Sequence, residues 1–581
     1  MPSGNVCPSP RPNGPSQVDD TIPIAQSQRT LFEFGTFDHS EIPREPEEWP
    51  VIIIGSSMVG MTLGVLLGYH GIKSVSFDRH PSTAIHPRAA LFLLRSVEIF
   101  RQLGLEDELL SESASNFDLD AGMIIVEKLV GGKVLASMQE SDPAEVAKVS
   151  PSRRLWLTQN MFEPLLRKRA KEFGAAQEFG ETVVHYEELS DGVIVVVQNV
   201  QSKSYRKFKT KYLVSCDGNR SPTRRKEGIE WHGPGVLGES ISINFKADLT
   251  PYLGTRAKHG VTYITNPAID AGFRLESGGK AGFMIVTRAG DKRSFSPDSV
   301  SERDAKQYFR EASGIEDDIN IKVDSISYWS VAAFNAERFM SKNGRVFIAG
   351  DAAHVMPPSG GMGGNTGIQD VHNLAWKLAY VLREKASPSL LQTYDTERRP
   401  AAEFAMRQAY SRLQKRVFRT VPDEPELPDI VCEIGYRYPS AAAHIPNSSS
   451  DQYEDPYTPL VSPGSRVPHV LISRESSQVS TLDLIKTNFV LFTTGHSSPW
   501  IEAAKGMTPQ IDSYSINGDS GTLRDSDGTF SRTCRISEGE AILVRPDGFI
   551  AWRGRWRKDG HRDELQKALK LALHLTEKKQ S

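Results

Sequence analysis

The chain has 581 residues, 39% of them hydrophobic and 24% charged, a globular composition long enough for two to four domains. A formal net charge of -3 gives no general attraction to nucleic acid or to anionic membranes, and no apolar run reaches the ~18 residues of a membrane span. Cys7, Cys216, Cys432 and Cys534 are far apart, with no CxxC and no zinc spacing, so no metal is expected and a reducing, cytoplasmic setting is.

Residues 1–48 are rich in Pro, Ser, Asn and acids without a period, and a flexible leader is expected there. From 49 to 420, strand-like and helical runs alternate as in an α/β domain. Its first segment, VIIIGSSMVGMTLGVLLGYHGIKSVSFD, predicts strand, turn, helix and strand. Val51–Ile54 is short and wholly apolar, as a parallel central strand should be. Val59, Leu63 and Leu66 recur at helical spacing, and Gly71 can close the helix. This is the pattern of a dinucleotide-binding turn, with an acid about 20 residues on. Gly55 serves the tight turn and Gly60 the close approach of helix to sheet. Ser57 stands where the middle glycine is usual, and its small side chain can itself donate. Asp78 is the expected ribose acceptor.

Two later segments extend the pattern. YLVSCDGNRSPTRR ends a strand at Ser215 and turns at Asp217-Gly218, followed by Arg220; alone it reads as an ordinary turn with solvated arginines. RVFIAGDAAHVMPPSGGMGGNTGIQD starts as a buried strand from Val346, holds Asp351, and crowds Gly360, Gly361, Gly363 and Gly364 before a helix carrying Ile368, Val371, Leu374 and Leu378. A helix start offers unpaired N–H groups to a ligand. His354 reads as structural. A substrate-binding sheet is expected over 116–149 and 236–335, where His259, Tyr263, Arg274, Arg288, Tyr328 and Trp329 could orient a ligand. VPDEPELPD reads as a linker, and residues 430–581 as a smaller domain with strands near Asn488–Thr493 and Ala541–Val544.

Three such segments, in this order, resemble the FAD-binding motifs of the class A flavoprotein aromatic monooxygenases, above all the phenol hydroxylase-like branch and its fungal secondary-metabolism relatives. The resemblance runs from about Glu48 to Lys558. It includes HPRAALFLLRSVEIFRQLGLEDEL, LTQNMFEPLL, SPGSRVPHVLI and AILVRPDGFIAWR. It implies a Rossmann-like FAD domain of the para-hydroxybenzoate hydroxylase fold, a mixed-sheet substrate domain and a C-terminal thioredoxin-like domain without its redox pair. It implies non-covalent FAD, with NADPH or NADH and O2 as co-substrates and a phenolic or polyketide-type aromatic as substrate. Gly55, Ser57, Gly60 and Asp78 would hold the ADP half. Arg88 and Gln159 would touch the pyrophosphate and ribityl chain. Asp217 and Arg220 would serve both cofactors, and Asp351 the ribityl hydroxyls. Pro358, with Pro357, would lie at the flavin's reactive edge. Gly364 and Asn365 would donate N–H bonds to its pyrimidine. The catalytic base stays unassigned, with Tyr263, Arg274 and Arg288 as pocket candidates. Epoxidation of a polyketide alkene, and FAD oxidoreduction without oxygen insertion, stay open as alternatives. The C-terminal domain is expected to serve packing or a homodimer.

Overall fold

The computed structural model describes residues 33–35, 37–84, 91–120, 122–138, 142–292, 294–296, 299–438, 440, 452–495, 498–518, 522–555 and 557–575. Its first layer is a seven-stranded sheet in the order Ala176–Phe179, Ser74–Asp78, Trp49–Ile54, Tyr205–Ser215, Gly192–Asn199, Glu181–Leu189, with Val346–Ile348 also pairing with Tyr205–Ser215. The strand Tyr205–Ser215 changes character along its length. Its first half, YRKFKT, alternates polar and apolar and pairs antiparallel with Gly192–Asn199, leaving one face to solvent. Its second half, YLVS, is buried and pairs parallel with Trp49–Ile54 and Val346–Ile348. A continuous apolar run suits a parallel strand covered on both faces. The covering helices include Met58–Tyr69, Gln159–Glu172 and Met362–Leu382.

Part of the leader expected over residues 1–48 is packed. Phe34 stands edge-on to Tyr186 with ring centroids 5.1 Å apart, and Glu45 N donates to the Lys207 carbonyl at 2.8 Å. Aromatic side chains give this segment an apolar surface on the outer hairpin to bury. Residues 1–32 lie outside the described residues.

The second layer is an eight-stranded sheet in the order His354–Val355, Lys322–Ala336, Trp231–Lys246, Ala281–Ala289, Ile269–Glu276, Val261–Thr265, Met123–Val126, Val134–Met138. One face packs on the helix Glu302–Ser313 through Ile241, Ile243, Phe245, Phe273, Met284 and Phe309. Ser301 and Asp304 form a capping box at that helix's start, and Gly314 closes its end in the left-handed conformation. Register assigns the opposite face. Tyr263 pairs with Ile125 and Gly272, Val261 with Met123, Arg274 with Phe283, and Trp329 with Ser240. Because side chains alternate, Met123, Tyr263, Arg274 and Trp329 share the face away from that helix, while Tyr328 points into its core.

The C-terminal domain holds a four-stranded sheet in the order Ile511–Ile516, Phe489–Thr494, Ala541–Val544, Ile550–Gly554. Its first pair is parallel and joined through the helix Pro499–Ala504; an antiparallel hairpin and the helix His561–Ala572 follow. That is thioredoxin-type topology. Cys432 and Cys534 are free thiols, and burial pushes them up to about 11 and about 12, so neither is poised for thiol exchange. This domain is joined to the first by charges buried at 0% exposure. Glu397 accepts from Lys377 Nζ at 2.7 Å and from Arg545 Nη1 at 2.6 Å. Arg545 also pairs with Asp547, whose carboxylate accepts from Trp376 Nε1 at 3.1 Å. Among the described residues no helix is long and apolar enough to cross a membrane.

Candidate active site

At the first turn the backbone leaves no room for side chains. A Cβ on Gly55 (φ +93°) would lie 2.6 Å from the Cys216 carbonyl, and one on Gly60 would lie 1.9 Å from the Gly55 carbonyl. The strand can therefore pass straight into the helix Met58–Tyr69, with Ser57 as its N-cap residue and no side chain capping the first turn. Asp78 accepts from Ser56 N at 2.8 Å and His80 N at 2.9 Å. The Ser57 hydroxyl accepts from Gln159 Nε2 at 2.6 Å and donates to Glu163 at 2.9 Å. Five predicted residues, Gly55, Ser57, Gly60, Asp78 and Gln159, are thus brought together. Glu163, which sequence reasoning missed, sits among them at 1% exposure and also accepts from Ala84 N at 2.7 Å. Its signal was present, since it stands one helical turn after Gln159. Arg88 lies outside the described residues.

The second segment flanks this turn. Asp217 Oδ2 accepts from Thr223 Oγ1 at 2.8 Å and Thr223 N at 3.2 Å, while Oδ1 has no hydrogen-bond partner among the described residues. Burial pushes its carboxyl up, against the hydrogen bonds that favour its charge. Arg220 follows half-buried, its carbonyl accepting from Arg225 Nη1.

The third segment turns twice. Val346–Ile348 ends at Gly350 (φ +61°), which leads into a 3-10 turn with Asp351 exposed. After the buried Pro357 and exposed Pro358, Gly360 and Gly361 take φ of +91° and +65°, and the helix Met362–Leu382 begins without a side-chain cap. A Cβ on Gly367 would lie 2.7 Å from Val59 Cγ2 and 3.0 Å from Gly350 Cα; one on Gly364 would lie 2.3 Å from Met58 Cε. Glycine at these positions lets the helix lie against the dinucleotide helix, and the N-termini of both helices meet. Their positive ends converge on one region.

Asn365 contributes differently from a free side-chain donor. Its amide accepts from Leu93 N at 2.9 Å and donates to Leu91 O at 2.9 Å and Gly361 O at 2.7 Å, fastening strand Leu91–Phe92 to the loop. Asp370 anchors the same helix. At 0% exposure it accepts from Gly350 N at 3.1 Å, His354 Nε2 at 2.6 Å and Arg398 Nε at 2.9 Å. Burial opposes its charge, but His354 and Arg398 outweigh it and hold the carboxyl below the usual carboxylate range. His354, expected to be structural, is buried with Nε2 on Asp370.

Beside Gly360 opens a cleft with an apolar wall of Leu91, Leu93, Met123 and Met362. Its charged lining is Arg154, Arg416, Asp429 and Glu433. Arg154 Nε donates to Glu433 at 2.8 Å, and Leu94 N donates to the same carboxylate at 3.0 Å. Arg412 Nη2 donates to Asp429 at 2.8 Å, and Arg416 pairs with Glu426. Burial pushes the Glu433 carboxyl up. None of these four charged residues was expected from sequence. The expected candidates divide. Half-buried Tyr263 lies on the sheet face it shares with Met123; burial pushes its phenol up against the pull of Arg416. Trp329 donates to Ser242 Oγ at 3.0 Å on that face. Arg274 is stacked 3.7 Å from the Phe117 ring centroid and 4.8 Å from that of Trp156, donates to Gly260 O at 2.5 Å, and is pushed down to about 9 by burial. Arg288 closes the hairpin tip, pairing with Asp270 at 2.6 Å and donating to the Asn266, Pro267 and Gly290 carbonyls. Its four bonds leave it little to offer a ligand. Tyr328 bonds to Val300 on the far face.

An FAD molecule fits these features. The glycine turns admit backbone close to phosphate, two uncapped helix starts converge, and the Asp217 carboxylate keeps a buried oxygen without a partner. Residues 48–409 match the FAD binding domain family, and residues 461–573 match the C-terminal domain of aromatic-ring hydroxylases. The chain is 38% identical to 4-methyl-5-nitrocatechol 5-monooxygenase of Burkholderia sp. over 90% of its own length and 98% of that protein. It is 31% identical to tetracenomycin A2 monooxygenase-dioxygenase of Streptomyces glaucescens, over 91% of this chain and 98% of that one. A crystal structure of aklavinone-11 hydroxylase with FAD and aklavinone aligns with a TM-score of 0.84 at 28% identity, covering 91% of this chain and all of that one. The chain therefore belongs to the FAD-dependent aromatic-ring monooxygenases, and FAD is its cofactor.

Proposed function

We propose that the protein hydroxylates a phenolic or polyketide-type aromatic, using O2 and NADPH or NADH. The observation that carries this reading is the place where two uncapped helix starts meet, with Gly364 against Met58 and Gly367 against Val59, and a small recess beside Gly360 that pairs an apolar wall with a few charged side chains. Relatives named for a nitrocatechol and for tetracenomycin A2 support the substrate class. FAD, when bound, would supply the oxidation-reduction chemistry by which two electrons from NADPH or NADH and O2 give a ring hydroxyl and one molecule of water.

This chain's residues hold and shield that chemistry. Gly55, Ser57, Gly60 and Asp78 would hold the ADP half, with Gln159 steadying Ser57, and Asp217 with Arg220 would serve the pyrophosphate side. Asp351 accepts from the ribityl hydroxyls. The main-chain N–H groups of Gly364 and Asn365, at a helix start whose dipole favours negative charge, would hold the flavin's pyrimidine end. Pro358 would border the flavin's reactive edge. Leu91, Leu93, Met123 and Met362 keep water from it. No side chain is called on for a covalent link, so acid-precipitated protein releases its flavin.

The test is product analysis under labelled O2 with a panel of electron-rich phenols. One labelled atom appears in a ring hydroxyl, and NADPH oxidation is slow until the aromatic is added. A labelled epoxide would favour alkene oxidation. Flavin reduction without label in any product overturns the reading in favour of simple oxidoreduction.

A further inference from the structure

Resting on that reading, we propose that Arg416 selects the ionised form of the phenolic substrate, and that Glu426 is the chain's own substitute for that anion, holding Arg416 until substrate takes it over. Arg416 belongs to a single π-helical turn, Gln414–Phe418, that ends the helix Gln392–Leu413. A π turn re-aims side chains relative to the α-helix before it. Here it sends Arg416 to the cleft beside Gly360 and Met123.

Two of the cleft's other charges are enclosed, and the third, Asp429, is 47% exposed but held by a buried cation. Arg154 and Glu433 are 5% and 2% exposed, and Glu433 also holds Leu94 N. Asp429 is held by Arg412. Arg416 and Glu426 are less enclosed than Arg154 and Glu433, at 24% and 16% exposure. Glu426 has two further cations, Lys415 at 3.5 Å and Arg412 at 3.7 Å. Losing Arg416 therefore leaves Glu426 compensated, and Arg416 can rotate to a phenolate without stranding a buried charge.

The backbone carrying Glu426 has no need to move. Leu427 N donates to Gln408 Oε1 at 2.9 Å, Ser411 Oγ to the Glu424 carbonyl at 2.7 Å, and Asp423 N to Gln414 Oε1 at 3.0 Å. The exchange is a rotation of two side chains on a fastened strap. The substrate loses its phenolic proton to solvent before it is seated, so no base in the chain is required. A phenolate also has the electron-rich ring that oxygen transfer needs. The groups that face the exchanged charge are Arg154, Glu433, Asp429, Arg412, Lys415 and Tyr263. Arg154 pairs with Glu433 and Arg412 with Asp429, while Lys415 reaches Glu426 from the solvent side at 62% exposure; of the two cations that line the cleft, Arg154 and Arg416, Arg416 is the one able to change partner.

The test is equilibrium binding of 4-nitrophenol to the FAD-loaded protein without NADPH, following the visible absorbance of the anion across pH. Wild type binds the anion, and the bound probe ionises at lower pH than the free one. Arg416→Gln weakens anion binding about 10-fold or more and removes that displacement. Arg416→Lys retains part of both. Glu426→Gln strengthens anion binding several-fold, and the double variant loses that gain. Absence of anion binding by wild type, an unchanged titration in Arg416→Gln, or a gain in Glu426→Gln that survives loss of Arg416, each overturns the proposal. Turnover plays no part, so a hydroxylase reading that fails under labelled O2 leaves this result to be judged on its own.

Discussion

Near the start of the helix Gln392–Leu413, Glu397 is enclosed with Lys377 and Arg545 at 0% exposure. At and just past its other end, Arg412, Lys415 and Arg416 surround Glu426 in a half-open setting. The residue types are the same and the consequences differ, because water decides what a charge pair is worth. In the dry cluster each charge depends on its partners; in the open one, partners can be exchanged. The first joins the C-terminal domain to the flavin-side helices, and the second is available to a ligand.

The comparison is broken most severely at Glu397. Glu397→Ala leaves Arg545 and Lys377 buried with too little negative charge, at about 3–5 kcal/mol. A large fall in Tm is expected, together with weaker FAD retention, since Lys377 lies on the helix that starts at the flavin. Thermal unfolding followed by flavin fluorescence reads both. Equal Tm in variant and wild type would show that the two domains do not depend on this junction.

Asp370 comes next. It is as dry as Glu397, yet it fastens one turn rather than two domains. Asp370→Asn keeps the shape and loses charge-assisted bonds to His354 and Arg398, about 1.5–3 kcal/mol. The pH dependence has a definite sign. The folded-state carboxyl titrates below its unfolded value near 3.8, so its stabilisation is fully present above that pH and is lost as pH falls toward the folded value. Wild-type Tm therefore drops more steeply below about pH 4 than that of Asp370→Asn. Parallel curves would remove Asp370 from the acid limb.

Ser57 gives a third, smaller effect, confined to cofactor affinity. Ser57→Gly is mild, because glycine fits the turn. Ser57→Glu adds a charge beside Glu163, where phosphate is to sit, and weakens FAD by ~10-fold or more at low salt, with the loss reduced by added salt. Titration of apoprotein with FAD measures it; equal affinity in Ser57→Glu would take this residue out of the pyrophosphate site.

The parts legible in the sequence are those whose reason is local. Gly60 is required by its contact with Gly55 within one strand–turn–helix unit, and Gly55 by that unit's turn at φ +93°, so their spacing announces it. The apolar run at Val51–Ile54 and the alternation at Tyr205–Thr210 likewise carry their own environment. The cleft is different. Arg154 and Glu433 pair across 279 positions, and no periodicity links them. Glu433 lies in a helix just after a stretch that reads as a linker, and Arg416 in a π turn that no residue pattern marks. Among the sheet candidates, the choice between Tyr328 and Trp329 turned on register, which is settled by pairing partners some ninety positions away.

The smallest stability effect falls on the residues proposed to matter most for the ligand. Arg416 and Glu426 are partly exposed, and Glu426 keeps Lys415 and Arg412 when Arg416 is removed. Partly solvated pairs of this kind contribute ~0–1 kcal/mol, and the strap is held in any case by Gln408, Ser411 and Gln414. Arg416→Gln and Glu426→Gln should therefore shift Tm by no more than about 2 °C, while moving anion affinity in opposite directions. That dissociation separates an exchangeable pair from a joining one, because in the dry cluster any loss of ligand must come with loss of fold. A fall in Tm for Arg416→Gln as large as that for Glu397→Ala would place both clusters in one class, with Arg416 acting as part of the scaffold rather than as a residue that changes partner.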